Sequence, residues 1–413
     1  MIKFAQHKLS NGLELIVHSD HSSPIVCLNI LYKVGSRNED PDRTGFAHLF
    51  EHLMFGGSKN VKNFDEPLQR VGGDNNAFTN PDITNYYVTI PSNNVETAFW
   101  LESDRMLSLS FDPEVLEVQR KVVIEEFKQR YLNQPYGDVW LKLRPLAYNV
   151  HPYKWSTIGK ELSHIENATM EDVKDFFAKY YHPSNAIMVV AGDITEEKAL
   201  ELTNRWFGEI PSVDTPTQLI PKEPKQSEER ILEHTADVPV SAIYKVYHMP
   251  SRLEKSYHAA DLLSDILGRG GSSILYQRLV KEQQLFSSIS AYVSGSYDPG
   301  LFSISGKCND GVTTKEANEA IEKVIGEVLK EGIKDSLIQK VKNQSEASSI
   351  FSEVDVLNRA MSLAYAAFLG DVNLVNEELD IIKSISAEEI ELIAAELLTP
   401  ENCSTLFYNK SKK

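Results

Sequence analysis

The sequence predicts an α+β fold built as two homologous domains from an internal duplication, each a mainly antiparallel sheet backed by helices. Three observations carry this reading. At 413 residues the chain exceeds what one ordinary core serves. Short β-branched or aromatic runs bounded by Gly, Pro or Asn are separated by blocks of amphipathic stretches, an order unlike strict βαβ alternation. The second half also repeats features of the first at a nearly constant offset.

The expected strands are "LELIV" from Leu13, "IVCLNILYKVG" from Ile25, "TNYYVTIP" from Thr84 and "NAIMVVAGDI" from Asn185. Helical patterns lie between them: "TGFAHLFEHLMF", "NVETAFWLESDRMLSL", "PEVLEVQRKVVIEEFKQRYL" and "TMEDVKDFFAKYY". Residues 211–230 are rich in Pro and charge, which places a linker at 213–230 between domains 1–212 and 231–413. Across it, "TMEDVKDFFAKYYHPSNAIMVVAG" from Thr169 matches "SAEEIELIAAELLTPENCSTLFYN" from Ser386 at an offset of 217. Both combine an N-cap hydroxyl, an acidic first turn, a helix, Pro-x-Asn and a strand. "AHLFEHLMFG" from Ala47 matches "ADLLSDILGR" from Ala260 at an offset of 213.

Composition narrows the function. A formal net charge of −17 argues against nucleic acid as a partner, because a phosphate backbone calls for a basic patch. Cys27, Cys308 and Cys403 form neither a disulfide framework nor a metal knuckle, which suits a reducing compartment. With no apolar run long enough for a signal peptide or a membrane span, the expectation is a cytoplasmic protein without a membrane partner.

The chemistry gathers in the first copy of the repeat. His48 and His52 lie one helical turn apart with Glu51 beside them, in a strongly apolar helix. Two imidazoles at this spacing can share a zinc ion that takes a third protein ligand and keeps a position for water. Zinc lowers the pKa of that water to about 7, and a neighbouring carboxylate, Glu51, can take its proton and pass it to a leaving amine. In the second copy the same positions are Asp261, Ser264 and Asp265, so the first domain is expected to be catalytic and the second not.

The third ligand is expected from "PEVLEVQRKVVIEEFKQRYL". With Val115 at 0°, Glu126 falls at about 20°, between Val122 and Val123, whereas Glu125 falls at about −80°. A carboxylate within an apolar face is costly unless paired or metal-bound, which favours Glu126 as the ligand. An arginine partner across an interface is the alternative for that residue. Gln119 is a candidate for supporting the site from behind.

These segments go beyond one motif. His48-x-x-Glu51-His52 is the inverted zincin signature. With "GSRNEDPDRTGFAHLFEHLMFGGS", "GGDNNAFTNPDITNYY", "RKVVIEEF", "HPYKWSTIGKELSHI" and "GRGGSSILYQRLVKEQQL", the chain resembles the pitrilysin–insulinase family of zinc peptidases. The likeness is to its shorter branch, which includes the mitochondrial processing peptidase. The resemblance implies zinc as cofactor, bound by His48, His52 and Glu126, with Glu51 as general base hydrolysing unfolded peptides in a closed chamber. It also implies that Asn76, Ala77 and Phe78 bind a peptide as an added strand.

The chain departs from the family in two respects. Gln119 stands where relatives often have a second Glu. In the second half, Val280 and Ser287 stand where relatives that complete their own site carry Arg and Tyr; Arg278 and Tyr292 are the nearest substitutes. The expected partner is therefore a related subunit supplying that Arg/Tyr pair. The competing reading is a non-catalytic assembly or core subunit of the same fold with a structural metal site.

Overall fold

The computed structural model describes residues 1–213 and 218–411. The chain forms two units. One comprises Met1–Gln129, Trp155–Ile220 and Ile350–Glu377, the other Arg130–Lys154, Pro221–Ser349 and Glu378–Lys413.

The first unit holds β1 (Ala5–Lys8), β2 (Glu14–Ser19), β3 (Ile25–Tyr32), β4 (Asp74–Thr79), β5 (Thr84–Pro91) and β6 (Ala186–Gly192), in the order β1-β2-β6-β3-β5-β4. Only β2 and β6 run parallel; the other neighbours are antiparallel. Central strands β3 and β6 are buried almost throughout, as their unbroken apolar runs require. At the border, β4 alternates exposed and half-buried residues, the pattern of an edge strand with one backbone side unpaired. Helix Val356–Leu369 covers one face of this sheet: Ala360, Leu363 and Ala364 share a core with Ile16, Cys27, Leu31, Ile187 and Val189.

The second unit repeats the plan with β7 (Arg230–Ala236), β8 (Ala242–His248), β9 (Phe286–Ser294), β10 (Leu301–Cys308) and β11 (Cys403–Lys410), in the order β7-β11-β8-β10-β9. Here β7 and β11 are the parallel pair. Strand for strand, β7 to β11 therefore answer to β2 to β6. The matched sequence segments agree in detail. Thr169 and Ser386 each close a capping box on the following helix, and each helix leads through a Pro-x-Asn 3-10 turn into β6 or β11. Helix Val139–Ala147 packs Val139, Leu143 and Ala147 against Ala242, Val246 and Leu406 of this sheet.

Each unit thus takes one covering helix from the part of the chain that otherwise builds its counterpart. Of the expected linker, residues 214–217 lie outside the described residues. Further along, Glu223 accepts the backbone N–H groups of Asn149, Val150 and His151, and buried Gln226 donates to the Cys403 carbonyl. Among the described residues no helix is long and apolar enough to cross a membrane.

Candidate metal centre

The helix that carries the two histidines is Phe46–Leu53. It begins at Gly45, whose φ of 89° is a left-handed conformation; a Cβ there would lie 2.7 Å from the Ile158 carbonyl oxygen. Its first amides are capped from outside the helix. Glu39, fully buried, accepts the N–H of Gly45 at 3.0 Å and of Ala47 at 2.8 Å. Burial pushes the Glu39 carboxyl up to about 8, against the pull of those donors. Ala47, Leu49, Phe50 and Leu53 face the core, which turns His48, Glu51 and His52 to the other side.

A second helix, Pro113–Phe127, packs against the first. Gly56 permits the approach, because a Cβ there would meet Val115 Cγ1 at 2.3 Å. The helix buries Leu116, Val123 and Phe127, while Val118 and Val122 emerge into solvent. This moves the expected apolar arc round the helix, because the second helix seats on the line through Leu116 and Val123. Glu126 is consequently at the border of the buried face, within reach of solvent.

At that border three groups converge. Glu126 Oε2 is 3.6 Å from His48 Nε2 and 3.5 Å from His52 Nε2, and the two imidazoles stand edge to face with centroids 4.9 Å apart. One ligand atom from each residue lies within 4.8 Å of the others, so the trio could hold a metal ion. Bonds of about 2.0–2.1 Å at tetrahedral angles place donor atoms roughly 3.4 Å apart. The residues fit a zinc ion by separation as well as by donor type. Glu125, adjacent in sequence, instead pairs with Lys128 at 2.7 Å on the surface.

Glu51 is held otherwise. Its Oε2 accepts the hydroxyl of Thr79, at the end of β4, at 2.6 Å. Tyr86 and Tyr181 lie buried close by, with hydroxyls 3.2 Å apart. Burial keeps both phenols protonated, and negative charge on Glu51 pushes in the same direction. Asn76, Ala77 and Phe78 occupy the middle of β4, which among the described residues pairs only with β5. Phe78 and Asn76 face outward and Ala77 inward.

Two residues bearing on the site escape the sequence reading. Thr79 directly follows "NNAF", and strand alternation puts it on the same face as Ala77; that was its only signal. Glu39 was marked only by an acid shortly before a helix start, in "NEDPDRTG". Of the second-half positions, Val280 packs against its own core, Ser287 is the second residue of β9 with its hydroxyl on the Lys307 carbonyl, and Arg278 pairs with Glu327 at 3.5 Å.

Comparison with known proteins agrees with this arrangement. Residues 15–159 match the family model "Insulinase (Peptidase family M16)", and residues 167–345 match "Peptidase M16 inactive domain". The zinc protease PqqE of Helicobacter pylori is 33% identical over 349 residues, spanning 83% of this chain and 78% of its own length. The mitochondrial-processing peptidase subunit beta of Saccharomyces cerevisiae is 25% identical over 369 residues, spanning 84% of this chain and 78% of its own. A crystal structure of a protease from Helicobacter pylori superposes with a TM-score of 0.94 at 30% identity, covering 99% of this chain and 100% of that one. Half-sequence models, a relative over most of its length and a superposition over the whole fold all converge: this chain belongs to the insulinase family of peptidases, M16.

Proposed function

We propose that the protein is a zinc metalloendopeptidase, or the catalytic subunit of a heterodimeric one, hydrolysing unfolded peptides in a closed chamber. The convergence of His48, His52 and Glu126 at separations suited to one tetrahedral ion carries this reading. Zinc held there would supply Lewis acidity and a water acidic enough to lose a proton near neutral pH. Glu51, one residue from a ligand yet directed to β4, would take that proton and return it to the departing amine nitrogen. The open edge of β4 at Asn76–Phe78 would bind the peptide as an added strand, main chain to main chain. Such pairing reads backbone more than side chains, and it selects extended substrates over folded ones.

The heterodimer part rests on Val280 and Ser287, neither of which can supply a cation or a phenol to a substrate. A related subunit carrying Arg and Tyr would complete the site; the relative from Saccharomyces cerevisiae is itself named as a subunit, mitochondrial-processing peptidase subunit beta.

The test is digestion of a quenched fluorogenic peptide by the zinc-loaded chain, with and without a related subunit, repeated with Glu51→Gln. We expect the variant to keep one zinc per chain and to lose turnover by roughly 10²–10⁴-fold. Loss of zinc would reassign Glu51 as a ligand, and undiminished turnover would end the general-base role. Full activity of the isolated chain, unchanged by a partner, would leave a peptidase that is not a heterodimer.

A further inference from the structure

We propose that Thr79 is a positioning residue for Glu51, so that the strand offered to the peptide also holds the base; this rests on the peptidase reading above. A glutamate on a helix surface has three rotatable bonds, and a base works only when its oxygen is held near the proton it must take. The Thr79 hydroxyl, donating at 2.6 Å, fixes the position of one Glu51 carboxylate oxygen.

The donor is itself rigidly mounted. Thr79 is the last residue of β4, paired with Thr84 across a tight turn. In that turn the Asn80 side chain accepts the amides of Asp82 and Ile83, and Asn80 N–H donates to the Ile83 carbonyl. Beneath it Gly35 lies so close that a Cβ would come within 2.5 Å of Asn80 O and Asp82 N, and buried Asp82 pairs with Arg37 at 3.3 Å. A short, well-packed turn of this kind resists displacement, as a support for a catalytic group should. A peptide pairing with β4 would lie against the strand whose end carries this hydroxyl. Substrate docking and base placement would thus share one backbone segment.

A plain strand-to-helix tether would look similar, and β4 has one: Asn75 Nδ2 donates to Asp65 Oδ1 at 2.8 Å. That contact supplies the control. We compare Thr79→Val, Thr79→Ser and Asn75→Ala by kcat and KM on a quenched fluorogenic peptide, by zinc content and by urea unfolding. Thr79→Val is expected to lower kcat by about 10–100-fold, with KM within twofold and one zinc retained, while Thr79→Ser restores kcat and Asn75→Ala leaves it unchanged. A wild-type kcat in Thr79→Val, or an equal loss in Asn75→Ala, would overturn the assignment.

If the wild-type chain turns over no peptide, either alone or with a related subunit added, the peptidase reading fails separately and a double-mutant cycle in unfolding decides. Thr79→Val and Glu51→Ala should then be coupled by roughly tenfold in the unfolding equilibrium constant, as for a hydrogen bond to a charged group. Additive effects would remove the contact and the proposal with it.

Discussion

Two helices hold the same place in the two units: Phe46–Leu53 follows β3, and Lys255–Gly268 follows β8. Their buried ladders correspond position by position, with Ala47, Leu49, Phe50 and Leu53 set against Ala260, Leu262, Leu263 and Ile266. Their polar positions do not. Where the first presents His48, Glu51 and His52 to partners on other elements, the second satisfies its groups locally. Asp265 pairs with Arg269 one turn on, at 2.9 Å, and Ser264 donates to the Asp261 carbonyl at 2.8 Å. Burial, with Asp265 nearby, raises the Asp261 carboxyl to about 6. The apolar ladder builds the scaffold in both units, and three polar positions separate a convergent site from a self-contained helix.

That contrast breaks most readily at Glu126, the proposed third ligand. Glu126→Gln should weaken zinc binding by at least 100-fold and abolish turnover, whereas Asp265→Asn should leave the zinc content at one ion per chain. Equilibrium dialysis followed by elemental analysis decides the point. Zinc loss on changing Asp265 would place the second helix in the site and cancel the comparison.

A smaller effect sharpens the comparison at the helix starts. Glu39 titrates higher in the folded chain, about 8, than a carboxyl in the unfolded one. Its favourable contribution is therefore complete below about pH 4.5 and lost as pH rises through 8, with a limiting slope of ~1.4 kcal/mol per pH unit. In Glu39→Gln, urea unfolding between pH 5 and 8 should lose that slope. An unchanged slope would mean that the amides of Gly45 and Ala47 hold the group ionised throughout.

The smallest effect lies in the second unit. Asp261 is likewise raised, so its contribution is complete below about pH 4 and lost as pH rises through 6. Asp261→Asn should then stabilise the protein at pH 7 by ~1–2 kcal/mol and have little effect at pH 4. Equal shifts at both pH values would point to packing instead of charge.

Much of this molecule is legible in the chain. Strands β2, β3, β5 and β6 declare themselves because central strands are apolar on both faces, and the repeat survives because capping and turn residues are local chemistry. The helix Pro113–Phe127 is harder. A wheel separates Glu126 from Glu125, yet it cannot tell which apolar residues seat on a neighbour, so the exposure of Val118 and Val122 was not foreseeable. Thr79 and Glu39 left only faint signals: Thr79 reaches a glutamate 28 residues away, Glu39 folds back onto amides six and eight residues further on, and no periodicity encodes either contact. The exchange of covering helices is the largest hidden feature, since the sequences of Val139–Ala147 and Val356–Leu369 carry no mark of the sheet each serves.

That exchange governs how the protein can be made. All six strands of the first sheet have left the ribosome once β6 is synthesised, but Ile16, Cys27, Leu31 and Ile187 stay open to water until Val356–Leu369 emerges much later. The early half must wait, sticky and incomplete, for the late one. A gene cut between residues 220 and 221 would accordingly yield two fragments, each lacking a piece of its own interior, that fold only when produced together.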